Sequence, residues 1–319
     1  MPYPLRRLLV FPLVMFGVSV FVFVAIRLVP GDAITAMLGT ESGLLTPAQR
    51  DALKAYFGLD QNWLVQFWRW LSGVLHGDFG ISTTFGEPVL TVILKHFPLT
   101  LELAILSMLV ALGLGLPAGI FAATRKDSPA DMAVRVIAMV GQSTPSFVMG
   151  LLLIFALSVG FGILPTMGTY VPLTEDPLGN LAQMILPAIT LGTAFASAVI
   201  RISRSAMLDI LREDYVRTAR SKGMSRRRVI WRHALPNALI PVVTLSGVEF
   251  GYLLGGAVLV EQIFALPGLG RVVLDAILQR DYALVQGSVL FIAFNFMVVN
   301  LLIDLAYAAL DPRIRFEAK

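Results

Sequence analysis

The chain has no cysteine and only three histidines, His76, His96 and His233. The first absence rules out disulfides and thiolate metal sites, and the scattered histidines offer no metal-ligand spacing. No HExxH, GxSxG or GxxxxGK[ST] occurs, so the chain carries no recognisable hydrolytic or nucleotide-binding motif. Charge is scarce too: 14% of the 319 residues are Asp, Glu, Lys or Arg, against about 25% in soluble domains. Any energy the protein uses must therefore be supplied by another chain or a gradient, and water is not its main solvent.

Apolar residues fill the gap. They make up 56% of the sequence, and the mean hydropathy is +0.77. A membrane helix needs roughly 20 mostly apolar residues. Such runs occur at 8–26, 99–123, about 128–160, 184–200, 238–260 and 287–310. They predict an all-α polytopic membrane protein with six transmembrane helices and an extracytoplasmic helical insert. The first run is too long for a signal peptide and has no clear cleavage site, so it reads as a retained span. The sequence divides as 1–95, first span plus insert; 96–310, a core of five spans with a loop at 206–236; and 311–319, a cytoplasmic tail.

A pI near 9.5 would suit nucleic acid, but the charge map argues against it. Residues 201–232 hold ten of the 25 Lys and Arg residues, between two apolar spans. The positive-inside rule explains such a block as a cytoplasmic loop. Six spans then put both termini inside, together with 17 of the 25 basic residues.

Several local signals stand out. Thr46-Pro47-Ala48-Gln49 is a capping box that starts a helix running to about Phe57, with Gly58 placed to stop it. Trp63, Leu64, Phe67, Trp68, Trp70, Leu71 and Val74 form an aromatic stripe, suited to the membrane interface or to packing on the protein itself. Gln142, Ser143 and Pro145 sit mid-span, where the proline predicts a kink or local unwinding and freed backbone groups need a cavity or partner. A loop with Pro165, Gly168, Pro172 and Pro177 is expected outside. Small residues in the fourth span (Gly192, Ala194, Ala196, Ser197, Ala198) and Gly247, Gly251 and Gly255 in the fifth predict close helix packing.

Glu249 lies mid-span in the fifth helix, where a lone carboxylate costs about 2.5–3.5 kcal/mol and should face protein or water. Helical geometry points it away from the glycine face, with Ser246, Tyr252 and Gly256 flanking it. It is a candidate for the translocation pathway, or else a structural hydrogen-bond partner between helices. Asn295, Asn300 and Asp304 in the sixth span suit packing and hydrogen bonding. Glu261 to Gln286 is expected to lie outside.

The stretch Asp214 to Pro241 reads DYVRTARSKGMSRRRVIWRHALPNALIP. It predicts two short helices with a break, Gly223 stopping the first in a left-handed conformation and Ser225 capping the second. Leu235-Pro236 is expected to turn the chain back toward the membrane. By composition alone this is a solvated basic loop. The stretch resembles, however, the EAA loop of ABC-importer permeases, with Ala219, Gly223, Leu235 and Pro236 in register. Arg217 and Thr218 depart from that pattern, as does His233. These departures are similar to the peptide/nickel branch, as are His76 to Gly80, Glu261 to Phe264, Pro267 to Gly270, Arg280 to Tyr282 and Asp311 to Arg315. Within that branch the chain resembles the first permease subunit.

The resemblance implies a type I ABC importer permease fold in a prokaryotic inner membrane. It implies an ATPase-coupling loop carrying Arg217, Ala219, Arg220, Lys222, Gly223, Leu235 and Pro236. It also implies a homologous second permease, two ATPase subunits and an extracytoplasmic substrate-binding protein. ATP and Mg would bind to the partners, so this chain would hold no cofactor and do no catalysis. The cargo would be peptide-like, with nickel or glutathione as alternatives. An ion-coupled carrier of another class would need inverted repeats and midplane ion ligands; no clear repeat is visible, and Glu249 is the one midplane carboxylate.

Overall fold

A computed structural model describes residues 3–28, 46–56, 60–162, 170–255 and 257–310. The expected helix stop at Gly58, the turn residues Pro165 and Gly168, Gly256 and the tail 311–319 lie outside these residues. Among the described residues, five helices are long and apolar enough to cross a membrane. A bent pair, Pro129–Ser143 with Ser146–Gly160, makes up to six if it counts as one span. The chain forms two compact units, Met1–Pro98 with Pro267–Val298, and Leu99–Leu266 with Val299–Lys319.

In the first unit, α1 (Tyr3–Leu28) is followed by α2 (Pro47–Tyr56) and α3 (Trp63–Leu75). The capping box forms as the spacing predicts: the Gln49 amide donates to Thr46 Oγ1 at 3.3 Å, and the Thr46 amide to Gln49 Oε1 at 2.9 Å. One edge of the aromatic stripe packs on the protein itself. Phe67 is buried and meets Phe16 and Phe23 of α1 edge-on, at 5.9 and 5.2 Å. Trp63, Leu64 and Trp68 stay exposed.

The next helix, α4 (Val89–Thr124), starts ten residues earlier than the apolar run at 99–123 suggested. Val89, Val92 and Ile93 lie at i, i+3 and i+4, and they are buried with Leu269, Val272 and Ala276 of α12 (Leu269–Leu278) and Leu284 of α13 (Tyr282–Leu310). That packing holds the helix together through Pro98, despite its missing amide donor. Asp281 caps α13 by accepting from the Leu284 amide at 3.1 Å. Its other oxygen receives Ser82 Oγ at 2.5 Å and the Thr84 amide at 3.0 Å.

The second unit contains the rest of α4, α5 (Pro129–Ser143), α6 (Ser146–Leu153) with a π-helical extension Ile154–Gly160, and α7 (Pro177–Ile210). The expected kink at Pro145 is far sharper than a kink: the chain bends by 101° between the two arms. Thr144 is extended, as residues before proline are. Its hydroxyl donates to the Val140 carbonyl at 2.8 Å, closing the end of α5. Pro177 opens α7 rather than ending a loop, because Asp176 caps the Leu178 and Gly179 amides. The small residues of α7 do what their size predicts. A Cβ on Gly192 would lie 2.6 Å from Val110 Cβ, and one on Gly115 would lie 2.7 Å from Val199 Cβ. The backbones of α4 and α7 therefore approach closely.

After α7 come α8 (Asp214–Ser221), the short α9 (Arg226–Arg228), a π-helical turn Val229–Ala234, α10 (Leu235–Leu254) and α11 (Val258–Ile263). Leu235-Pro236 does not turn the chain, contrary to expectation. The π turn widens the helix, with the Leu235 amide bonded to the Ile230 carbonyl, and Pro236 falls in the first turn of α10, where its missing donor costs little. The segment Glu261 to Gln286 is built mainly of helix. It contains the end of α11, all of α12 and the start of α13.

Candidate coupling surface and pathway residues

Two faces of α8 do different work. Val216 and Ala219 are buried against Val229, with Ile210, Leu211 and Met224 around them. Arg217, Arg220 and Lys222 are exposed. The helix ends in a Schellman motif: the Met224 amide reaches the Ala219 carbonyl at 3.3 Å, and the Gly223 amide reaches Arg220 at 3.0 Å. Gly223 adopts φ +78 to close it, in the left-handed conformation the sequence predicted. A Cβ there would meet nothing within 4 Å, so strain rather than space selects glycine.

Ser225 departs from expectation. It occupies the cap position of α9, but its side chain makes no capping hydrogen bond. The projection is instead fixed through Tyr215, whose hydroxyl receives Asn237 Nδ2 at 2.8 Å and donates to the His233 carbonyl at 3.4 Å. Leu235 is buried in the apolar cluster of Ala123, Met207, Ala234 and Ala238. Leu235 and Pro236 thus anchor the base of the projection, while the exposed cations of α8 form its outer surface.

On α10, Glu249 is half-buried and makes no hydrogen bond or ion pair among the described residues. A Cβ on Gly247 would run into the Ile303 side chain, so this part of the glycine face packs against α13. Ser246 Oγ is buried without a hydrogen-bond partner among the described residues, and Tyr252 is exposed. At the break between α5 and α6, Ser143 and Pro145 are exposed, and Gln142 Oε1 accepts from Arg201 Nη1 at 2.7 Å. The two groups of candidates sit on separate elements. Asn295 donates back to its own helix, to the Phe291 carbonyl at 2.8 Å.

Three polar arrangements went unseen in the sequence. Asp131, fully buried, receives Nε and Nη2 of Arg204 at 2.7 Å each, tying α5 to α7. Glu261, also fully buried, accepts from Thr100 Oγ1 at 2.9 Å. Tyr170 donates to Glu102 Oε2 at 3.0 Å; burial, with Glu102 adding to it, pushes the phenol up to about 12, so it remains a donor at any physiological pH. Charged or polar residues at span ends were the available signal, but their partners are 68 to 161 residues away in the sequence.

Comparison with known proteins agrees with this architecture. Residues 115–316 match the family of binding-protein-dependent transport system inner membrane components, and residues 1–104 match the N-terminal domain of such components. The glutathione transport system permease protein GsiC of Escherichia coli K12 is 40% identical over 315 residues, spanning 99% of each chain. A Brucella suis protein provisionally described as a peptide transport system permease is 40% identical over 304 residues, 95% of this chain and 96% of that one. The MetNI methionine ABC transporter in an inward-facing crystal form shares the fold at a TM-score of 0.54 and 17% identity, covering 69% of this chain and 96% of its own. The chain belongs to the family of binding-protein-dependent transport system inner membrane components.

Proposed function

We propose that this chain is one of two homologous permease subunits of an ATP-driven importer, that both its termini face the cytoplasm, and that a separate ATPase subunit grips the projection around α8. The observation that carries this reading is the construction of the projection. An apolar underside, Val216 and Ala219, is locked onto Val229, while Arg217 (paired with Asp214 at 3.2 Å), Arg220 and Lys222 are exposed along a helix end stopped by Gly223. Such a rigid lever can pass a push from a partner into α7 and α10, the helices it joins. The chain performs no chemistry of its own, and ATP and Mg bind to the ATPase partners. An extracytoplasmic binding protein delivers the cargo.

The cargo is peptide-like. Relatives at 40% identity over nearly the whole chain are named for glutathione and for peptides, which favours this class over nickel. Glu249, with Ser246 and Tyr252, and the α5–α6 break at Gln142, Ser143 and Pro145 contribute to the pathway. The test is uptake of labelled glutathione and dipeptides into proteoliposomes holding the full complex and its binding protein. Uptake should require ATP and should not respond to an imposed sodium or proton gradient. Gradient-driven uptake without ATP would replace this reading with an ion-coupled carrier.

A further inference from the structure

Beside the ends of α4 and α7 lies a cavity of about 300 Å³. Lys126, Arg212, Arg220 and Arg226 converge on it, and no carboxylate lines it among the described residues. Arg226 Nη2 donates to the Thr124 carbonyl, which fixes one cation at the rim. Lys126 lies 3.4 Å from Asp127, an exposed carboxylate outside the lining. Arg212 and Arg220 pair with no carboxylate among the described residues. Four like charges around one hollow repel one another unless an anion sits among them.

The remaining wall is apolar, with Leu211 and Ile230 among its residues. Its depth is informative as well. From Leu99 to Thr124, α4 rises roughly 39 Å at 1.5 Å per residue, more than the roughly 30 Å hydrocarbon core. Its last turn therefore reaches the headgroup layer. Trp231 and Tyr215, nearby in sequence, are 59% and 41% exposed, as amphipathic aromatics at a membrane surface are. Basic hollows between span ends with apolar walls suit a phosphate with acyl chains attached.

We propose that this cavity binds a phosphate-bearing anion, and that its occupant is the headgroup of an anionic phospholipid. Arg220 is shared with the coupling face of α8, so the test rests on Lys126 and Arg212, which lie outside that helix. It is tested on the purified transport complex by native mass spectrometry and thermal melting. The probes are phosphatidylglycerol, phosphatidylcholine and inorganic phosphate, used separately. Wild type should retain phosphatidylglycerol in preference to phosphatidylcholine and melt higher with it. Lys126→Gln combined with Arg212→Gln should weaken that retention by about tenfold or more, while Arg212→Lys should preserve most of it. Retention that ignores the double variant, or that is equal for the two lipids, would overturn the proposal. Stabilisation by inorganic phosphate equal to that by phosphatidylglycerol would overturn the lipid assignment and leave a site for free phosphate. No response to any probe, with loss of the ATPase subunit in the double variant, would assign these cations to a protein partner instead.

Discussion

Asp131 and Arg204 hold each other through two bonds of 2.7 Å at a place where Asp131 is shielded completely from solvent. Removing one partner leaves the other charge buried and uncompensated, at a cost of about 3–5 kcal/mol. Asp131→Asn or Arg204→Met should therefore lower the melting temperature of the purified complex markedly, and the double change Asp131→Leu with Arg204→Met should recover most of the loss. A single variant that melts like wild type would show that this pair does not hold α5 to α7. Glu249 calls for a different expectation, because no bond restrains it among the described residues. Glu249→Gln should change transport rate or cargo preference severalfold and leave assembly intact; unchanged transport with reduced thermal stability would end its pathway role. Glu249 was legible in the sequence because depth in an apolar run is a local property. Asp131 was not: its partner lies 73 residues away.

At the scale of elements, local signals were read well and packing-dependent ones poorly. The Thr46–Gln49 box and the left-handed stop at Gly223 are set by residues within one turn, and both form. The start of α4 at Val89 was missed because the continuous apolar run begins only at 99, whereas tertiary burial of Val89, Val92 and Ile93 extends the helix ahead of it. The π turn before Pro236 was invisible for a similar reason: a wider turn leaves no mark in apolar periodicity. Helix contact was predictable in kind, since small residues in the fourth span do meet a neighbour. Gly192→Leu would place a side chain where Val110 Cβ already lies 2.6 Å from the first added carbon. Overpacking of this sort costs about 1–3 kcal/mol. It should lower the yield and melting temperature of the complex, whereas a neutral result would mean that α4 and α7 can separate freely.

For the whole molecule, the orientation of the spans and the coupling to ATP are the claims that matter. A chain without cysteine permits clean single-cysteine labelling. Cysteine at Ser128, Ser225 or Ala318 should be protected from an impermeant thiol reagent in intact cells, and cysteine at Ser42 or Thr174 should react. Labelling at 225 with protection at 42 would invert the topology. Family membership was legible in the EAA-like loop, because that pattern lies in one continuous stretch. The most direct test of the account uses the residue that ends α8. Gly223→Val forces a β-branched side chain into φ +78, a conformation costing about 1–2 kcal/mol for an L-residue, and leaves every apolar span intact. The decisive measurement is ATP hydrolysis and cargo uptake by the reconstituted Gly223→Val complex. Normal membrane levels of the chain, with uptake lost and cargo-stimulated hydrolysis reduced about tenfold or more, are the predicted result. Uptake and hydrolysis equal to wild type would contradict it, leaving the projection as no more than a charged loop that sets topology.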